Sequence, residues 1–165
     1  MRVLEPAPAA SGPAEPRPLL AGFVDDFDPR FSPDGRLIAF TSNESGKSEV
    51  YVCAYHPDGT VSDPVRVSSG GGGSPAWTAG GKTLLYVADP GRLMSASISA
   101  EPMLTSGPPV QTLDLERLMF GDFTVLGDGR LFGVLRSELE TSEVRGGNVV
   151  LDFFEELKRK IARAK

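Results

Sequence analysis

The chain has 165 residues, of which 40% are hydrophobic and 24% charged, which falls in the range of a single globular domain. The net charge is −5; the five Lys/Arg and two Glu from Glu155 onward contribute +3, so the rest of the chain carries −8. An acidic body of this kind repels phosphate backbones and argues against nucleic acid as a partner.

Residues 1–17 hold Pro6, Pro8, Pro13 and Pro16 among Ala, Ser and Gly, a composition expected to give a disordered or polyproline-like lead-in. This stretch lacks the apolar core of a signal peptide, and no run in the chain approaches the roughly 18 apolar residues of a membrane span. The expectation is therefore a chain with no membrane span and no secretion address. Residues 18–21 (PLLA) lie 13 positions before Phe31, just as 64–67 (PVRV) lie 13 before Trp77. That match predicts an orphan outer strand at 18–21 whose own blade would lie upstream.

An internal repeat then governs the chain. Residues 29–40 (PRFSPDGRLIAF), 75–86 (PAWTAGGKTLLY) and 123–134 (FTVLGDGRLFGV) share one layout, with Gly35, Gly81 and Gly129 spaced 46 and 48 apart. A period of roughly 40–50 residues is that of a propeller blade. Asp34-Gly35, Gly80-Gly81 and Asp128-Gly129 are expected hairpin turns, because glycine accepts the positive φ that such turns require. Phe31, Trp77 and Val125, each four residues before the glycine, are expected to pack on an inner strand. Third strands are expected at 49–55, 93–99 and 148–151, and short fourth strands at 65–67 and 110–113. The fold class read from this pattern is all-β, with about three four-stranded antiparallel blades of a β-propeller over about 22–67, 74–113 and 121–151.

The third repeat has no fourth strand. Asp152 instead opens an expected amphipathic helix over 152–165, with Glu155 as a variant capping box, Leu157 and Ile161 at helical spacing, and favourable Glu155–Arg159 and Glu156–Lys160 pairs.

Residues 31–40 (FSPDGRLIAF), 42–46 (SNESG) and 49–52 (EVYV) resemble a TolB-like, WD-like propeller repeat. Residues 148–158 (NVVLDFFEELK) are similar to the end of a bacterial group of these propellers, many of which sit at the C-terminus of membrane-anchored serine/threonine protein kinases. The resemblance implies a blade array, usually six blades, used for protein or ligand recognition. It also implies an extracytoplasmic setting and the sensor part of a signalling protein. Thr78-Ala79-Gly80 departs from the usual Asp-Gly turn, which could loosen that hairpin, and Asp152-Phe153 stands where the group commonly has Asn-Trp. Half of a six-blade ring is present.

No catalytic constellation is expected. The Gly-rich loop, His-Arg-Asp and Asp-Phe-Gly motifs of a kinase are missing from the sequence. His56, the sole histidine, precedes a Pro57-Asp58-Gly59 turn; Cys53, the sole cysteine, lies in an apolar alternation and reads as a buried, inert thiol. Gly70–Gly73 is followed by Ser74-Pro75 rather than the Gly-Lys-Ser/Thr of a phosphate loop, so it reads as a flexible link between blades. Asp25, Asp26 and Asp28 lack the glycine and distal Glu of a calcium loop, and Asn43-Glu44-Ser45 reads as turn chemistry rather than a glycosylation site. No cofactor, metal or catalytic residue is assigned.

Propeller topology places the loops between strands two and three on the same rim as the links between blades. That candidate binding rim comprises Asp25, Asp26, Asn43, Glu44, Ser45, Lys47, Ser69, Ser74, Asp89 and Arg92. Two function classes follow: an interaction or ligand-binding module, or a structural half-propeller that acts only after assembly with further blades. The partner is a protein or small ligand of unread identity. Assembly could come from the remaining blades of a longer propeller, or from a homodimer in which each 18–21 strand completes the other copy's third blade.

Overall fold

The computed structural model describes residues 2–3, 17–20, 25–114, 119–126, 130–136 and 148–151. Among them every regular element is a strand. Strands β1 (Arg2–Val3) and β2 (Arg17–Pro18) pair antiparallel with each other. Blade 1 is a four-stranded meander of β3 (Asp26–Phe31), β4 (Leu37–Ser42), β5 (Glu49–Ala54) and β6 (Val65–Arg66), hydrogen-bonded in chain order. Blade 2 repeats the order with β7 (Gly73–Trp77), β8 (Thr83–Ala88) and β9 (Arg92–Ser99). Its fourth place is shared: β10 (Thr105–Ser106) pairs with one end of β9, and β11 (Val110–Asp114) with the other. Pro108 and Pro109 lie between them, and proline has no N–H to donate to a ladder. Blade 3 contributes β12 (Met119–Val125), β13 (Leu131–Arg136) and β14 (Asn148–Leu151). Consecutive antiparallel meanders stacked on one another, with inner strands β3, β7 and β12 adjacent, are the architecture of a β-propeller. The Asp128-Gly129 turn and the helix expected from Asp152 lie outside the described residues, as does most of 1–17.

The two visible hairpins explain why the repeat carries glycine where it does. Gly35 (φ 71°) donates its N–H to the Ser32 carbonyl, and Gly81 (φ 66°) to that of Thr78, both in the left-handed region. In blade 1 the Asp34 carboxylate accepts from the Ser32 hydroxyl (2.6 Å) and the Arg36 N–H (3.1 Å). Blade 2 lacks that acid yet closes equally well: the Thr78 N–H and hydroxyl both donate to the Thr83 carbonyl, at 3.0 and 3.2 Å.

Alternation along the strands sends every second side chain to one neighbour. Leu37, Ala39, Val50 and Val52 of blade 1 meet Trp77, Leu84, Tyr86, Ala88, Ala96 and Ile98 of blade 2 in one buried cluster. The other face of blade 2, with Ala76, Leu85 and Leu93, meets Phe123 and Leu131 of blade 3. Ile38, Phe40, Tyr51 and Cys53 form the remaining face of blade 1, against which Leu19 and Leu20 pack. Both faces of β4 and β5 are therefore covered, and these strands read as continuous apolar runs rather than polar–apolar alternations. The aromatic repeat position divides by environment. Trp77 is buried between blades 1 and 2, with its indole N–H on the Arg30 carbonyl at 2.9 Å. Phe31, its counterpart, remains 49% exposed and meets Tyr55 edge-on.

Each inner strand carries the same irregularity. Phe27–Arg30 opposes Thr41–Ala39, Gly73–Ala76 opposes Val87–Leu85, and Phe120–Phe123 opposes Leu135–Gly133. In every case one strand holds an extra residue, as in a β-bulge. In the first two, a non-glycine residue takes up the kink at positive φ: Asp28 (53°) and Ser74 (51°). Replacing Trp77 with Ala empties the interface between blades 1 and 2 and removes the indole N–H bond to the Arg30 carbonyl. The expected loss is about 3–5 kcal/mol in denaturant unfolding, typical of a buried aromatic; a loss under about 1 kcal/mol would contradict this packing.

Candidate functional site

The rim expected from topology is largely built of loops that are tied down. Asp25 and Asn43 clamp each other across the sheet end: the Asp25 N–H donates to Asn43 Oδ1 (3.1 Å), and the Asn43 N–H to the Asp25 carbonyl (3.3 Å). The Glu44 N–H donates to the Ser42 hydroxyl, and the Ser45 hydroxyl to the Lys47 carbonyl. Arg92 turns its guanidinium back onto the Asp89 carbonyl, with Nε at 2.9 Å. Asp26 is half-buried, and Ser69 is exposed.

At the centre of the rim is a residue that the sequence reading passed over. Glu49, at the start of β5, is 1% exposed. One carboxylate oxygen accepts the N–H groups of Gly70 (2.9 Å) and Gly71 (3.1 Å), and the other accepts the Ser68 hydroxyl. The Ser68 hydroxyl also accepts the Val50 N–H at 2.8 Å, and the Gly72 N–H donates to the Ser48 carbonyl at 2.9 Å. The Gly70–Gly73 stretch is thus a fixed cradle around an internal carboxylate rather than a loose link. Its Gly70 and Gly71 amides, of the kind that hold phosphate in a nucleotide loop, are already spent on Glu49, and that of Gly72 on the Ser48 carbonyl. Burial raises the Glu49 pKa, but the hydrogen bonds from Ser68, Gly70 and Gly71 together with the Lys47 charge outweigh it and hold the carboxyl below the ordinary glutamate value. A Cβ on Gly72 would stand 3.0 Å from Ser68 Cβ and 3.1 Å from Tyr86 Cδ2, so the cradle leaves no room for a side chain there.

Beside the cradle, blades 1 and 2 part to form a cleft of about 410 Å³. Of the rim residues, it gathers Lys47, Ser74 and Asp89. The others, Asp25, Asp26, Asn43, Glu44, Ser45, Ser69 and Arg92, are not part of its wall. The cleft adds Phe27, Asp28, Thr41, Val87 and Gly71–Gly73. Both positive-φ residues, Asp28 and Ser74, are in this wall. Thr41 is 0% exposed, and its Oγ1 has no hydrogen-bond partner among the described residues. A second cleft of about 760 Å³ opens at the hairpin end of the same two blades, past Asp34, Arg36, Lys82 and Glu101. The Asp34 carboxylate there is engaged by its own turn, and the Ser32 and Arg36 hydrogen bonds lower its pKa.

The two candidate nucleophile-chemistry residues stand apart. Burial, reinforced by the Asp26 charge, pushes the Cys53 thiol up to about 11. His56 is exposed on its turn, donating its N–H to the Thr60 carbonyl at 2.9 Å. Among the described residues no group of three or more His, Cys, Asp and Glu could hold a metal ion, and no helix is long and apolar enough to cross a membrane.

No protein-family model and no curated protein matches the chain. Among solved structures, it is similar to a puromycin hydrolase at 16% identity and a TM-score of 0.49, over 86% of this chain and 29% of that one. It is also similar to TolB from Acinetobacter baumannii at 16% identity and a TM-score of 0.44, over 83% of this chain and 46% of that one. The chain spans less than half the length of either. Strand order and interblade packing, rather than these likenesses, define the fold.

The Glu49 cradle gives a pH dependence with a definite sign. A carboxyl whose folded pKa lies below its unfolded one contributes stability above the ordinary value of 4.5, and that contribution disappears as the pH falls from there through the lowered folded value. Melting temperatures measured from pH 7 to pH 3 are expected to drop in this window, and to drop less steeply in Glu49→Gln. Equal slopes for the two proteins would show that the cradle contributes nothing to acid sensitivity.

Proposed function

We propose that the chain is a non-catalytic propeller module that recognises a protein or small ligand through the rim between blades 1 and 2. The cleft containing Thr41, Asp28, Ser74 and Asp89 carries the reading: it couples an unsatisfied buried hydroxyl to strained backbone on a rigid scaffold. Its position fits a recognition surface, because the walls come from strands while the mouth is made of loops. A nucleophile needs a neighbouring base or a lowered pKa. Cys53 is buried with a raised pKa, and His56 sits on an exposed turn outside both clefts. The kinase-linked resemblance extends this proposal to the sensor part of a signalling protein.

A second reading draws on the open side of β3. Phe31 is 49% exposed, whereas Trp77 at the same repeat position of the next blade is enclosed. This edge suits a further blade, supplied by a longer chain or by a second copy, and in that reading the module acts once the ring is extended.

The non-catalytic assignment is checked with a panel of ester, peptide and phosphoryl-transfer substrates. No turnover above a heat-denatured control is expected. Reproducible turnover abolished by a single substitution would overturn it.

A further inference from the structure

We infer that the cleft between blades 1 and 2 binds an alkylammonium group, presented by a lysine side chain of a partner or by a free polyamine. The inference deepens the recognition role proposed above and rests on it.

Thr41 supplies the first argument. A buried hydroxyl without a partner is costly, and such groups are rare in folded proteins. Thr41 Oγ1 is in that position, on a residue that lines the cleft. A donor entering from outside would satisfy it. The second argument is strain: Asp28 and Ser74 are the two non-glycine residues at positive φ among the described residues, and both face the same cleft. Residues held this way concentrate where backbone geometry serves binding.

Charge and shape then select the ligand. Asp28 and Asp89 are both lining residues of the cleft, with Asp89 Oδ2 beside Gly71, and its one cation, Lys47, is near enough to Glu49 to help keep that buried carboxylate ionised. The nearby Arg92 guanidinium is folded onto the Asp89 carbonyl. An anion entering here would meet two carboxylates. Among the described residues no group of three or more His, Cys, Asp and Glu is placed to hold a divalent metal here. An ammonium carries three donors, and the wall offers three acceptors in Asp28, Asp89 and Thr41. The exposed Phe27 ring and the Val87 side chain flank the space with apolar surface suited to a methylene chain. Glycines keep the path open: a Cβ on Gly71 would stand 3.2 Å from Asp89 Oδ2, and one on Gly73 would stand 3.7 Å from Thr41 Oγ1.

The test is a titration of the isotope-labelled full chain, followed by amide chemical shifts. The probes are Nα-acetyl-lysine methylamide, its neutral Nε-acetylated form, and spermidine. Saturable shifts at Asp28, Thr41, Gly71–Gly73 and Ser74 are expected with a charged probe and not with the neutral one. A response to the lysine derivative alone assigns the group to a protein side chain, and a response to spermidine alone assigns it to a polyamine. The double variant Asp28→Asn/Asp89→Asn is expected to weaken binding by about tenfold or more, since hydrogen bonds to charged groups are the strong ones. Asparagine tolerates the positive φ of position 28, so the fold is retained. Thr41→Val is expected to weaken binding while raising the melting temperature, because it removes a buried hydroxyl that only the ligand satisfies. No saturable shift with either charged probe, equal response to the neutral probe, or unchanged binding in the double variant would overturn the inference. Such a result leaves the non-catalytic assignment standing; that assignment fails separately, through turnover in the substrate panel.

Discussion

Face-to-face burial between successive blades is the interaction on which the rest of this structure depends. Blade 2 has two apolar faces, and each is covered by a neighbouring blade. Fully burying a single Val, Leu or Phe side chain stabilises by about 1.5–3 kcal/mol, and blade 2 places such residues on both sides. Leu84 and Tyr86 point toward blade 1 and Leu85 toward blade 3 along the same strand, so loss of either neighbour would expose half of the sheet. Stability in this architecture is a property of adjacent pairs rather than of single blades. The exposed Phe31 and the enclosed Trp77 are one repeat position with and without such a neighbour.

The same stacking creates the rim chemistry. Strands that face one another closely in their middles must diverge at their ends, and the repeated extra residue in β3, β7 and β12 adds a kink at that end. The cleft forms where two such kinks adjoin. Behind it, the Glu49 carboxylate substitutes for a bound anion, drawing in the Gly70 and Gly71 amides and fixing the link between the blades. A negatively charged group built into the fold thus orders a loop that would otherwise need a ligand to order it. The Thr41 hydroxyl, on the adjacent strand β4 and one register position along, has no hydrogen-bond partner among the described residues.

Much of the blade pattern was legible because turn geometry is written in residue type. Positive φ at Gly35 and Gly81 leaves a glycine at a regular interval, and β-branched and aromatic runs follow each turn. The kinks were not legible: Asp28 and Ser74 are ordinary polar residues whose positive φ is imposed by register, which no local composition records. Glu49 was hidden for a different reason. Its partners Ser68, Gly70 and Gly71 lie some twenty residues downstream, and only the strand pairing of blade 1 brings them under it. A glycine run in a sequence signals backbone freedom, whereas here it permits close approach, with Gly72 tight against Ser68 and Tyr86. Of the ten rim residues read from topology, Lys47, Ser74 and Asp89 converge on the cleft. Thr41, within an apolar strand, offered only its polarity as a signal.

Trp77 is the only tryptophan in the chain, and it sits in the interface between blades 1 and 2 with its indole N–H bonded to the Arg30 carbonyl. Its fluorescence therefore reports the central claim, that interblade burial organises the molecule. Acrylamide quenching across a denaturant titration, with far-ultraviolet circular dichroism recorded on the same samples, is the direct measurement. The account predicts weak quenching in the native protein, and a rise in quenching at the same denaturant concentration at which β-structure is lost. Strong quenching in the native protein, or exposure of Trp77 well before the sheets melt, would contradict it.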